Sequence, residues 1–214
     1  MTPTYLSIDL DYWNYAPELV VPDLETILRR AGDVPIRLVD SHDKLLAHAD
    51  AYTWHCLVNI DQHADLAAYE VIRQHWQPGC GDWVDYLGEK TKEYIWCCPP
   101  DEPHDPRMFE EDRYYFTLQN KLWGHTSRIR GWQAPLRSKQ ISAIGVALSY
   151  FNPGERYTSE VVLNNFCSSD IFDLLILGAT DEDLKFWLRE RRKYLKFGEE
   201  MERYEAQQKG FQDW

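Results

Sequence analysis

Short apolar runs alternate with stretches of helical periodicity through the first hundred residues. Residues 5–10, Tyr-Leu-Ser-Ile-Asp-Leu, read as a buried strand: short, apolar and free of breakers. A helix is expected next, with Pro22 and Asp23 in its first turn, Leu24, Ile27 and Leu28 on one face, and Gly32 as its stop. Residues 36–39 read as a second strand, 44–51 as a short helix, and 56–60 as a third strand. Residues 82–88 are expected to be helical, and 94–98 a strand halted by Pro99 and Pro100. Residues 141–148 form the last strong strand candidate. Strands alternating with helices predict an α/β fold of three layers, a mainly parallel sheet between two layers of helices. Such sheets bind ligands beyond the carboxyl ends of their strands.

The pattern changes over 99–140, which is rich in Pro, Asp, Glu and aromatics, including Tyr114, Tyr115, Phe116, Trp123 and Trp132. It reads either as an insertion over the active face, with a hairpin in it, or as an ordinary surface excursion. Residues 181–209 predict a long charged helix, with Leu184, Trp187, Leu188, Tyr194, Leu195 and Met201 at helical spacing. That stripe suits core packing, with a contact between two copies of the chain as the alternative. No repeat, low-complexity tract or domain boundary interrupts the chain, so 1–214 is read as one domain.

A net charge of -12 excludes the basic surface a nucleic acid needs, and fits attraction of metal ions or a cationic substrate as well as plain solubility. No apolar run reaches membrane-spanning length, and no basic segment followed by an apolar one marks a signal peptide. The cysteines, Cys56, Cys80, Cys97, Cys98 and Cys167, are odd in number and lack zinc-ribbon spacing. Reduced thiols and a cytoplasmic location are expected from them.

Three strand ends carry the chemistry. Asp9 and Asp11 follow the first, His42 the second, and Asp61, His63 and Asp65 the third. Alternate residues of an extended segment point the same way, so Asp-x-Asp and Asp-x-His-x-Asp each present a set of ligands to one side. Carboxylates at the mouth of a buried strand are costly alone, and bound cations would offset that cost. Oxygen-rich ligation with two imidazoles suits hard or borderline divalent ions. A helix cap beside a surface histidine, or a turn rich in Asp, is the plainer alternative.

The segments Ser7-Ile8-Asp9-Leu10-Asp11 and Asp61-Gln62-His63-Ala64-Asp65 resemble the two signature motifs of the arginase/agmatinase ureohydrolases. The resemblance is closer to a divergent branch in which a segment like Val39-Asp40-Ser41-His42-Asp43 comes first and stretches like Gly81-Asp82-Trp83-Val84 and Tyr94-Ile95-Trp96 follow. That branch includes peptide arginases, which convert arginine to ornithine in ribosomally made precursor peptides. The resemblance implies an arginase/deacetylase-like fold and two manganese ions. Asp61 and Asp9 would bridge them, His42 and Asp65 would complete one site, and His63 and Asp11 the other. In the family the Asp-x-His-x-Asp motif precedes the Ser-x-Asp-x-Asp motif; the reversed order here implies a circularly permuted sheet. The Gly81 stretch lacks the histidine that ordinary arginases carry in the corresponding segment.

The function these features imply is manganese-dependent hydrolysis of arginine guanidinium groups in a peptide to ornithine and urea. Asp65 is the expected proton carrier. Asp82, with Glu155 behind it, is expected to hold the guanidinium; Asp82 as a helix N-cap is the alternative. The acidic, aromatic insertion would line a peptide groove. The rival readings are a single-zinc deacetylase or amidohydrolase, and a non-catalytic binding protein that keeps the site for stability.

Overall fold

The computed structural model describes residues 2–65, 83–100, 125–148 and 158–195. Six strands form one sheet: β1 (Pro3–Asp9), β2 (Ile36–Leu38), β3 (Cys56–Ile60), β4 (Glu93–Cys98), β5 (His125–Arg130) and β6 (Gln140–Ala147). Their order is β2-β6-β1-β3-β4-β5, and every neighbouring pair is parallel. The chain leaves β1 toward one edge of the sheet and leaves β3 toward the other. The β1/β3 junction is therefore the place where successive connections diverge, the crevice in which parallel sheets take ligands.

Alternation along the strands divides the core into two layers. Leu6 and Ile8 of β1, Val58 and Ile60 of β3, and Ile144 and Val146 of β6 face one side, where they meet α1 (Val20–Ala31), α4 (Glu160–Cys167), α5 (Asp170–Leu175) and α6 (181–195). Tyr5, Leu57, Tyr94 and Trp96 face the other, where they meet α2 (Leu45–Asp50) and a 3-10 segment, Trp83–Lys90. This is the three-layer architecture expected. The four described cysteines are buried free thiols within these layers. Among the described residues no single helix is long and apolar enough to cross a membrane.

Local chemistry explains the boundaries. Helix α1 buries Val20, Leu24, Ile27 and Leu28, and stops at Gly32, whose φ of 73° is open to glycine. On the opposite face α2 packs close to β6 because position 145 has no side chain. A Cβ there would lie 2.5 Å from the Tyr5 hydroxyl and 2.6 Å from a Leu45 methyl. Helices α4 and α5 were not foreseen. Ser159 and Ser169 cap them, each hydroxyl accepting a backbone N–H from within the first turn.

Two expectations need correction. The stretch 99–140 is not wholly an excursion. It contains β5, which pairs parallel to β4 and so is a sheet strand, not an arm of a hairpin, and the short helix α3 (Gln133–Leu136). Residues 101–124 lie outside the described residues. On α6 the buried face is Asp183, Trp187, Glu190 and Tyr194, whereas Leu188 and Leu195 are exposed. The apolar positions at 188 and 195 misplaced the stripe by one residue; the buried face follows Trp187 and Tyr194, and Asp183 on that face pairs with Arg37, 3.0 Å from its carboxylate. Met201 and the rest of the predicted helix beyond 195 lie outside the described residues.

This face assignment has a direct test. Trp187→Ala should cost about 3–5 kcal/mol in urea denaturation, while Leu188→Ala should change stability by no more than about 0.5 kcal/mol. Comparable losses at the two positions would refute it.

Candidate metal centre

Strands β1 and β3 run side by side in the register Ser7↔Asn59 and Ile8↔Ile60, so Asp9 and Asp61 leave the sheet together. Both sit two residues beyond a polar residue on the same face as α2. After Asp9 the chain tightens into a 3-10 turn, Leu10–Trp13, capped by the Asp9 carboxylate, which accepts the Asp11 N–H at 3.0 Å. After Asp61 the chain folds back on itself. The Asp61 carboxylate accepts the His63 N–H at 2.7 Å, and Asp11 accepts the Gln62 N–H at 3.2 Å. Three aromatic donors hold this loop. Trp96 Nε1 donates to the Asp61 carbonyl at 2.9 Å, the Tyr94 hydroxyl to the Ala64 carbonyl at 2.5 Å, and Trp83 Nε1 to Asp65 Oδ2 at 2.6 Å. Asp65 takes a φ of 50°, a left-handed conformation that few non-glycine residues adopt.

His42 comes from the 3-10 turn between β2 and α2. Its Nε2 meets the Ser7 hydroxyl at 2.7 Å, which turns Nδ1 toward the acids. Nδ1 lies 2.8 Å from Asp65 Oδ2, 3.2 Å from Asp9 Oδ2 and 3.4 Å from Asp61 Oδ2. His63 Nδ1 lies 3.0 Å from Asp11 Oδ2 and 3.7 Å from Asp61 Oδ1. Two groups result, Asp9–His42–Asp61 and Asp11–Asp61–His63, each with its ligand atoms within 4.8 Å of one another. Asp61 belongs to both, one oxygen toward each imidazole. Asp9 enters the first group only. Asp65 adjoins that same group through His42.

Burial makes this arrangement expensive. Asp9, Asp11, Asp61 and His42 have no exposed surface, and Asp65 has 4%. Among the described residues no lysine or arginine forms an ion pair with Asp11, Asp61 or Asp65. Burial, and then the charges of Asp65, Asp11 and Asp9, push the Asp61 carboxyl well above its usual range. Burial and Asp9 raise Asp11, against the opposing pull of His63. Burial drives both imidazoles down, but the carboxylates around them win. Asp65 and Asp9 hold His42 up at about 10, and Asp11 foremost holds His63 at about 9. Burial and the Asp65 and Asp61 charges raise Tyr94, keeping it a phenol that can donate.

All six residues expected as metal ligands thus converge. Asp82 and Glu155, the expected guanidinium contacts, lie outside the described residues. The supporting roles of Ser7, Asn59, Trp83, Tyr94 and Trp96 were not read from the sequence. A signal existed for two of them: Ser7 and Asn59 are polar positions on the inward face of otherwise apolar strands, two residues before Asp9 and Asp61. Asn59 Nδ2 donates to Asp61 Oδ2 at 3.1 Å. Comparison of the chain with protein-family models, curated proteins and solved structures returns no match.

The donor set fits divalent cations. His42 Nδ1 and Asp11 Oδ2 are buried without an aligned hydrogen bond, although each faces groups of the centre. Carboxylate oxygens with two imidazoles suit hard or borderline divalent ions.

The linkage to pH follows from the raised imidazoles. Without ions, folded protein keeps protons on His42 and His63 that the unfolded chain, at its ordinary 6.5, has released. The stability they contribute is complete below pH 6.5 and is lost as pH rises through about 9 and about 10. Urea denaturation in chelator should show this fall. Added Mn²⁺ should reverse it, raising Tm more at pH 8.5 than at pH 6, since ions compete with protons for the same nitrogens, as about these pH values imply.

Proposed function

We propose that the chain is a binuclear metallohydrolase that acts on arginine guanidinium groups in a peptide, releasing urea and leaving ornithine. The observation that carries this reading is the pair of buried Asp/His groups sharing Asp61 at the carboxyl edge of a parallel sheet. Asp9, His42, Asp61 and Asp65 would hold one manganese ion, and Asp11, Asp61 and His63 the other. Bound ions supply Lewis acidity that makes water a nucleophile near neutral pH. The two groups favour this over a single-zinc deacetylase, which needs only one.

The chain's own residues then position and move protons. Asp65 is anchored at Oδ2 by the Trp83 indole, which leaves its other oxygen to take a proton from the attacking water. The water oxygen adds to the guanidinium carbon, the bond from that carbon to the side-chain nitrogen breaks, and Asp65 returns the proton to the departing amine. His63 is the ligand with substantial exposure, 35% of its side chain, so substrate reaches the centre from its side. The net charge of -12 favours approach of a cationic substrate. Asp82 and Glu155 are our candidates for holding the guanidinium.

A peptide substrate, a circularly permuted relation to the ureohydrolases, and a cytoplasmic location belong to the same reading. Motif order supports the second, and buried free thiols support the third. The Mn²⁺-loaded protein, incubated with an arginine-containing peptide, should release urea and leave a peptide lighter by one cyanamide unit per arginine. Asp61→Asn should reduce the rate at least about 100-fold, because one substitution damages both groups. Turnover of free arginine alone would exclude the peptide assignment. A protein holding one tightly bound zinc and cleaving an amide would replace the reaction class.

A further inference from the structure

Trp83 touches two proposed ligands at once. Its indole Nε1 donates to Asp65 Oδ2 at 2.6 Å, and its ring stacks on His42, centroids 4.9 Å apart with 29° between planes. Trp83 itself has no exposed surface. It heads the 3-10 segment Trp83–Lys90, whose Val84 and Leu87 are buried in the α2-side layer with Leu45 and Trp54. The core thus packs this indole in place beside Asp65 and His42.

The two ligands it touches need such support. Asp65 lies five residues past β3 in a left-handed conformation, and His42 belongs to a three-residue turn. Nothing in their backbones brings them together, since β2 and β3 lie on opposite sides of β1. Ser7 meets Nε2 of the imidazole, and Nδ1 faces Asp65, Asp9 and Asp61, so these contacts hold the edges of the ring. The stacked indole covers a face of the ring, which edge contacts do not hold, and its N–H holds the Asp65 carboxylate 2.8 Å from His42 Nδ1. Neither Asp11 nor His63 is among these contacts of Trp83.

We propose that Trp83 is a positioning residue for one half of the metal centre, setting the geometry of His42 and Asp65 and leaving the Asp11–His63 half untouched. The inference rests on the two-ion reading above. Outer hydrogen-bond partners of ligands typically change metal affinity about 10- to 100-fold, and loss of this one should fall on one ion only.

The test is Mn²⁺ titration by calorimetry and by electron paramagnetic resonance, on wild type, Trp83→Phe and Leu175→Ala. Wild type should take up two ions that couple magnetically. W83F keeps a flat ring but no N–H; it should bind one ion about 10- to 100-fold more weakly, with the other unchanged, and show the uncoupled six-line signal at intermediate loading. Should W83F not fold, W83M also fills the site without a donor and is read the same way. L175A opens a cavity in the opposite core layer, away from the Trp83 segment and the ligands, so it should lower Tm and leave both affinities alone. Two unchanged affinities in W83F, or equal weakening of both ions, would overturn the role of Trp83 while the metal centre stands. No ion uptake by wild type would remove the centre itself, and the inference with it.

Discussion

Four carboxylates withdrawn from water at one end of a sheet set the terms for everything around them. Each charge taken from solvent costs several kcal/mol unless it is paired, and here the charges are within reach of one another. Two imidazoles offset part of that cost, and backbone N–H groups of Asp11, Gln62 and His63 offset more. An apolar core of this size could have formed without any of these acids. Their presence at the β1/β3 junction is what sets this end of the sheet apart from the apolar core.

The sheet does the gathering. Adjacent parallel strands deliver Asp9 and Asp61 at the same height, and the tight turns after them bring Asp11 and His63 to one side. His42 arrives from a strand two places away, over β6, and Asp65 from five residues past β3. Residues supplied by the strand ends are held by the sheet itself. Those supplied by turns are held by side chains: Ser7 for His42, and Tyr94, Trp96 and Trp83 for the stretch from Asp61 to Asp65.

That division explains how far the sequence could be read. Strands β1, β3, β4 and β6, helix α1 and the six acid and histidine positions follow from period, breakers and spacing, which are local. Strand β5 was hidden because its pairing with β4 is a long-range contact and its residues, such as Arg128 and Arg130, do not look buried. Helices α4 and α5 were signalled by Ser159 and Ser169, caps that precede only short runs. The turn of α6 was misjudged because its buried face follows the two large aromatics, Trp187 and Tyr194, with Asp183 and Glu190 between and before them, and leaves Leu188 and Leu195 outside. The indoles that steady the loop were invisible for a different reason: a tryptophan in a core-like run gives no sign of where its N–H points.

Gly145 shows how a residue with no functional group can govern one that has it. The bare backbone there is a hollow into which Leu45 and the Tyr5 ring settle. Leu45 opens α2, three residues after His42, so the depth of that hollow sets how far the imidazole reaches down toward the acids. A methyl group at 145 would act as a shim, lifting the helix and with it the ligand. The calibre of the centre is thus machined partly by a gap in the strand beneath it.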